Sequence, residues 1–264
     1  MRTYMSGIEI ALTVLGLFAG MMLCAALGRR IARTRLQRKT QEPDPSLAVL
    51  EGGVFGLMGL LIALTFSISA SRLEVRRQIV VDEANAIGTA WLRVSLLPGD
   101  RQDAMRQQFR RYVDSRLTFY RDITNLEAAS LALKRTNTLQ GEIWSQGVAD
   151  CAETPTIAAA TLFLPALNLM IDLTTTGTMM AKNHLPWLIR VLLVFSPLVC
   201  ALLGGMESAP RTRRVWVPTI AFALTLSLTV YVILDLDHPR VGLIRVDSVD
   251  QAMVELRTSM ESGK

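Results

Sequence analysis

The sequence predicts an all-α membrane protein, two transmembrane helical hairpins flanking an inserted helical-bundle domain. Three observations predict it. Four apolar stretches, 8–27, 47–70, 185–206 and 215–234, reach bilayer-crossing length, because a helix rising about 1.5 Å per residue needs roughly 20 apolar residues to span the hydrocarbon core. They fall in two pairs, and the short loop inside each pair is basic. Between the pairs lies a charged segment, 72–184, whose apolar residues recur at helical spacing with no alternating strand pattern.

Charge assigns the topology. Loop 28–46 carries Arg29, Arg30, Arg33, Arg35, Arg38 and Lys39 against Glu42 and Asp44, a net +4; loop 207–214 carries Arg211, Arg213 and Arg214 against Glu207, a net +2. The middle segment holds 13 basic and 12 acidic residues, so the two loops more than account for the chain's net +5. A pI near 9.4 is then a topology signal and predicts no nucleic-acid partner. Positive loops stay cytoplasmic, which puts both termini and the middle domain outside. Tyr4, Trp187 and Tyr231 fall at outer interfaces and Trp216 at an inner one. The basic cluster follows the first apolar run, so that run reads as an uncleaved anchor.

Along the chain, the first span is Ala, Leu, Met and Gly, with Glu9 near its outer end. In the second, Gly52, Gly56, Gly59, Ala63, Ser67 and Ala70 recur at spacings of three and four, which places small side chains on one helix face. Such a face packs against another helix of the same subunit, or lines a passage or a subunit interface. Glu51 stands at the inner boundary, where water reaches it. After Arg72 the pattern turns amphipathic, with Val80, Ala84, Ile87 and Trp91 on one side.

Pro98-Gly99 ends that helix and Asp100 is positioned to cap the next. There Met105, Phe109, Tyr112, Val113, Leu117 and Tyr120 form an apolar face opposite Asp103, Arg106, Arg110 and Arg111. A third helix over 125–149 takes Leu126, Leu133, Ile143 and Trp144 as core. Segment 154–182 is apolar on average yet carries Thr161, Pro165, Asn168, Asp172 and Thr175 on one face. It reads as a long helix partly buried in protein, with a fifth span as the alternative. Its polar face forms either an interhelical hydrogen-bond network or a wet conduit, so Thr161, Asn168, Asp172 and Thr175 are candidates for a polar path. The third span holds Arg190 and Pro197. The last ends in Asp235, Asp237 and His238, a polar turn. The tail predicts a strand at 243–246 and a docked helix over 247–260 through Val249, Met253 and Leu256.

Catalytic constellations are not found. Two histidines, His184 and His238, flank different spans, and Cys24, Cys151 and Cys200 build neither a disulfide framework nor a zinc site. No phosphate loop or nucleophile elbow occurs. The expectation is no enzyme, no cofactor and no metal.

Three motifs carry a family resemblance: Glu83-Ala-Asn-Ala-Ile-Gly-Thr-Ala-Trp-Leu-Arg93 closing with Leu96-Leu97-Pro98; Pro165-Ala-Leu-Asn-Leu-Met-Ile-Asp172; and Leu234-Asp-Leu-Asp-His-Pro-Arg240 followed by Gly242-Leu-Ile-Arg-Val-Asp247. In this order they resemble the bestrophin-like domain family of bacterial membrane proteins, with a departure at Leu169, where the family pattern often has an acid. The resemblance implies a bacterial inner membrane, a homo-oligomer in the lipid bilayer and, through the bestrophins, an anion channel handling small inorganic ions. Bestrophins keep their large helical region cytoplasmic, whereas the charge pattern here predicts it outside. A non-conducting sensor or scaffold acting through the helical domain is the alternative function.

Overall fold

The computed structural model describes residues 7–38, 45–123, 125–153, 157–182, 185–208, 216–238 and 247–262, without the side chains of 35–38, 45–48, 126, 182 and 247–250. Among these residues the chain is helical throughout: α1 (Gly7–Arg38), α2 (Pro45–Arg93), a single 3-10 turn (Val94–Leu96), α3 (Gly99–Arg121), α4 (Leu126–Glu153), α5 (Ile157–Lys182), α6 (Trp187–Glu207), α7 (Trp216–Asp237) and α8 (Asp247–Glu261). The all-α expectation holds. The expected strand at 243–246 lies outside the described residues, as do Tyr4, His184 and the outer parts of both basic loops. Among the described residues five helices are long and apolar enough to cross a membrane, in α1, α2, α5, α6 and α7.

The chain divides into two compact units. One comprises Met1–Leu73 and His184–Ile244, the other Glu74–Asn183 and Arg245–Lys264. Helix α2 contributes its first part to one and its remainder to the other. Its composition changes at Arg72 but its backbone does not, because no proline occurs between Pro45 and Pro98.

In the first unit, α1 buries Ile10, Leu17, Met21, Ala25 and Gly28, one stripe at spacings of three, four and seven. That stripe packs on α6 and α7. Ala201, Ala223, Val230 and Leu234 complete the core. Two glycines set the α1–α6 distance: a side-chain carbon at Gly28 would collide with the Leu202 carbonyl, and one at Gly205 with the Ala25 carbonyl. The opposite face of α1 exposes Ile8, Leu12, Leu15, Leu23 and Leu27, apolar residues suited to lipid. Helix α2 meets this unit through Phe55, whose ring lies 5.9 Å edge-on from Phe222. Farther along, Ile62 packs against Leu185, Leu193 and Ile233.

The end of α7 is interior. Asp235, Asp237 and His238 are buried, where the sequence suggested a helix-ending polar turn. Asp237 accepts the Leu185 backbone N–H with both carboxylate oxygens, at 3.2 and 3.1 Å. His238 Nδ1 lies 3.1 Å from the Leu234 carbonyl. Pro186, the N-cap of α6, brings no side-chain cap, so the buried Asp237 anchors the entry to that helix instead.

In the second unit, α3 starts from Pro98 as N-cap. Asp100, expected to cap, sits inside the first turn, where its charge favours the helix dipole. Met105, Phe109, Tyr112, Val113 and Tyr120 are buried as the apolar face predicted, while Leu117 is half-buried. Helix α4 departs from expectation. Ile143 is buried, but Leu133 is half-buried and Trp144 is 38% exposed, while the Leu126 side chain lies outside the described residues. Its inner face is Ala129, Ala132, Thr136, Leu139, Ile143 and Gly147. Gly147 sets this orientation, since a side-chain carbon there would lie 2.9 Å from Leu167 and 3.0 Å from Phe163 of α5. Trp144, one position round the helix from Ile143, therefore turns outward. Helix α8 docks on α3 and buries Met253 as expected, together with Met260; Leu256 is half-buried, and the Val249 side chain lies outside the described residues. Arg257 holds Asp114 at 2.7 Å and Arg110 holds the Met260 carbonyl at 2.9 Å.

Candidate functional site

The densest polar construction lies in the second unit. Helical spacing puts Glu83 of α2 on the same face as Val80 and Ile87, and Arg116 of α3 on the face of Tyr112 and Tyr120. Both charged side chains are fully buried. Arg116 Nε donates to Glu83 Oε1 at 2.6 Å and Nη2 to Oε2 at 3.1 Å. Tyr120 donates to Glu83 Oε2 at 2.5 Å. Thr174 of α5 lies 3.1 Å from Oε1 and 2.5 Å from the Tyr112 hydroxyl, which accepts from Gln140 of α4 at 3.3 Å. Four helices thus meet on one carboxylate and its satellites. Gly177 admits α5 to this centre, since a side-chain carbon there would lie 3.3 Å from the Tyr120 hydroxyl and 3.5 Å from Glu83.

Electrostatics follow from burial. Burial itself works against the Arg116 cation, but the charge of Glu83 outweighs it and holds the guanidinium above its ordinary range. Burial, with Glu83 beside it, pushes the Tyr112 phenol up to about 12, and Tyr120 shifts the same way for the same causes. Arg116 Nη1 has no hydrogen-bond acceptor among the described residues; its Cζ instead lies 4.8 Å from the ring centroids of Phe119 and Tyr120. The network is closed to solvent, and apart from Arg116 Nη1 the polar atoms around Glu83 are paired. It locks the helices together and offers no open position for chemistry.

The residues expected to form a polar path lie elsewhere. Thr161, Asn168, Asp172 and Thr175 are all exposed along the outer face of α5. Asn168 Nδ2 donates to Asp172 Oδ2 at 3.2 Å, while Thr161 and Thr175 return their hydroxyls to their own helix, at 2.9 and 3.0 Å. This face therefore offers solvent one carboxylate and one amide. In the first unit, Gly52, Gly56, Gly59, Ala63 and Ser67 are likewise exposed. A side-chain carbon at Gly52, Gly56 or Gly59 would meet nothing within 4 Å. Neither row is packed inside the single chain.

Of the motif residues, Arg93 donates to the Leu162 carbonyl at 2.6 Å, on the helical turn that Pro165 interrupts by lacking an N–H. Asn85 is exposed. Glu83, Arg116, Tyr120 and Thr174 were missed as a constellation. A signal existed: Arg116 falls four residues from both Tyr112 and Tyr120, a charge in the middle of an apolar face. Among the described residues no group of three potential metal ligands occurs.

The family model for the bestrophin-like domain matches residues 15–250. Two solved structures share the fold, both of a bacterial bestrophin homologue from Klebsiella pneumoniae and each carrying one point mutation. The variant with an isoleucine-to-threonine change matches with a TM-score of 0.67 at 15% identity, over 96% of this chain and 99% of that one. The variant with a tryptophan-to-alanine change matches with a TM-score of 0.61 at 13% identity, over 94% and 97%. No curated protein matches the sequence. With a family match across most of its length and a shared fold, the chain belongs to the bestrophin-like domain family of membrane proteins.

Proposed function

We propose that this chain is one subunit of an oligomeric ion channel in the bacterial inner membrane, with anions as its cargo. The observation that carries the reading is the row Gly52, Gly56, Gly59, Ala63 and Ser67, exposed along α2 and met by no side-chain-distance neighbour at its glycines. Small residues let helix backbones approach where lipid supplies no hydrophobic drive, so identical rows from several copies can gather round an axis. A passive pore needs wettable, weakly binding walls and no catalytic constellation. Membership of the bestrophin-like family and the fold shared with bacterial bestrophin homologues support the same reading.

On α5, the Asn168–Asp172 pair is the polar element of a second exposed surface, which we assign to contact with passing ions or with a neighbouring copy. The paired-hairpin organisation, with spans 8–27, 47–70, 185–206 and 215–234 around a 72–184 domain, is retained in this proposal. The basic loops keep the cytoplasmic side by the positive-inside rule, and both termini and the domain then lie outside.

Single-channel recording of the purified protein in planar bilayers tests the proposal, with Gly59→Leu and Asp172→Asn beside the wild type. Conductance steps that shrink in Gly59→Leu, with the oligomer intact by native mass spectrometry, support it. Silence from an intact oligomer overturns it in favour of a sensor or scaffold acting through the 72–184 domain.

A further inference from the structure

A cavity of about 200 Å³ opens in the first unit, walled by Met21, Ala25, Phe55, Cys200, Ala201 and Phe222 among others, with Glu207 and Ser208 at its polar end. Its lining is mostly apolar, as a methylene chain requires. Arg29 adjoins the cavity through the lining residue Ser208: its Nε donates to Ser208 Oγ at 3.0 Å and its Cζ lies 5.4 Å from the Trp216 ring centroid. These contacts use the inner part of the guanidinium. Its two terminal nitrogens meet no acceptor among the described residues.

Two carboxylates lie in the same unit. Glu207 lines the cavity, and Glu51 of α2 is the other. Neither has a cationic partner among the described residues, and Arg29 pairs with neither. The Glu207 carboxylate lining the cavity and the Arg29 guanidinium bonded to its neighbour Ser208 therefore form no ion pair with each other, beside an apolar recess.

We infer that this is a binding site for phosphatidylethanolamine, with the phosphate on Arg29, the ammonium on Glu207 and the first methylenes of an acyl chain in the recess. Guanidinium is the favoured partner of a phosphate, through parallel N–H donors. A primary ammonium donates hydrogen bonds to a carboxylate, which the quaternary ammonium of phosphatidylcholine cannot do. Phosphatidylglycerol has the phosphate but no cation for Glu207. Lipid recognition between transmembrane helices at a basic membrane face is physically well founded, and the added carboxylate is what selects the zwitterion here. The site does not depend on whether the chain conducts.

Native mass spectrometry of the full-length protein, exchanged against an equimolar mixture of phosphatidylethanolamine, phosphatidylglycerol and phosphatidylcholine, tests this. The wild type should retain phosphatidylethanolamine over phosphatidylcholine by about tenfold, the ratio one charge-assisted hydrogen bond supplies. Arg29→Gln should lose retention of all three, and Glu207→Gln should remove the preference for phosphatidylethanolamine while keeping phosphate-bearing lipids. Gly204→Leu, where a side-chain carbon fits 3.7 Å from Phe55, should fill the recess and abolish retention. Equal retention of all three lipids by the wild type, or a phosphatidylglycerol preference indifferent to Glu207→Gln, overturns the assignment. If the Arg29 variant fails to fold, the wild type decides alone: added phosphatidylethanolamine must raise the melting temperature in detergent where phosphatidylcholine and inorganic phosphate do not.

Discussion

Arg116 grips both carboxylate oxygens of Glu83, at 2.6 and 3.1 Å, and neither side chain has any solvent exposure. Taking two charges out of water is costly, and only good geometry with added hydrogen bonds offsets it. Tyr120 and Thr174 supply those bonds. Removing one partner strands the other charge in the core. Arg116→Met should therefore cost about 3–5 kcal/mol, and Glu83→Leu a similar amount. The double variant should lose much less than the sum, because no charge is left behind. Denaturant unfolding of the four proteins in one detergent gives the cycle directly, and strict additivity would show that the pair does not act as a unit.

The Tyr112 phenol gives the second unit an alkaline limit. Its value is raised from 10.0 to about 12 in the folded protein. A raised value means that this contribution to stability is fully present below about pH 10 and is lost as pH rises through about 12. That rise corresponds to about 3 kcal/mol. Of the chain's four tyrosines, Tyr112 and Tyr120 should stay protonated until the fold opens. A phenolate absorbance titration should then show a late, steep phase coincident with loss of circular dichroism, and Tyr112→Phe should weaken the alkaline dependence. A smooth titration completed before unfolding would contradict the burial argument.

Glycine positions at the α1–α6 contact separate into indispensable and neutral. Gly28→Leu and Gly205→Leu drive a side chain into a backbone carbonyl of the facing helix, which cannot step aside as a flexible side chain can. Overpacking of this kind costs about 1–3 kcal/mol or more. Gly16→Leu meets nothing within 4 Å and should leave stability unchanged or slightly raised through better helix propensity. Thermal melts of the three variants in the same detergent decide it, and a Gly16 variant as damaging as the other two would refute the assignment.

The proposed orientation is open to a labelling test. With Cys24, Cys151 and Cys200 replaced by serine, Ser145→Cys places one thiol on the exposed face of α4. A membrane-impermeant maleimide should label it in intact cells stripped of the outer membrane. Labelling only after lysis would put the domain in the cytoplasm and reverse the topology drawn from the basic loops.

Much of this protein was legible before any coordinates. Apolar length and helical period are properties of contiguous residues, so the helical class, the long apolar helices around 8–27, 185–206 and 215–234, most of the inner face of α3 and the docked α8 could be read directly. Three motifs in order, around Glu83–Arg93, Pro165–Asp172 and Leu234–Asp247, carried the family, because such a pattern belongs to a common ancestry and needs no contact map. What remained hidden depends on partners distant in the chain. That α1 packs closely on α6 was decided by the facing notches at Gly28 and Gly205, and no local pattern pairs two glycines so far apart. Whether Arg116 was a solvated charge or the centre of a core turned on Glu83, 33 residues away. Trp144 faces out because Gly147 chose the contact with α5. A side chain's type sets what it can bond, but only the packed helices determine which partner stands within reach and whether water is excluded.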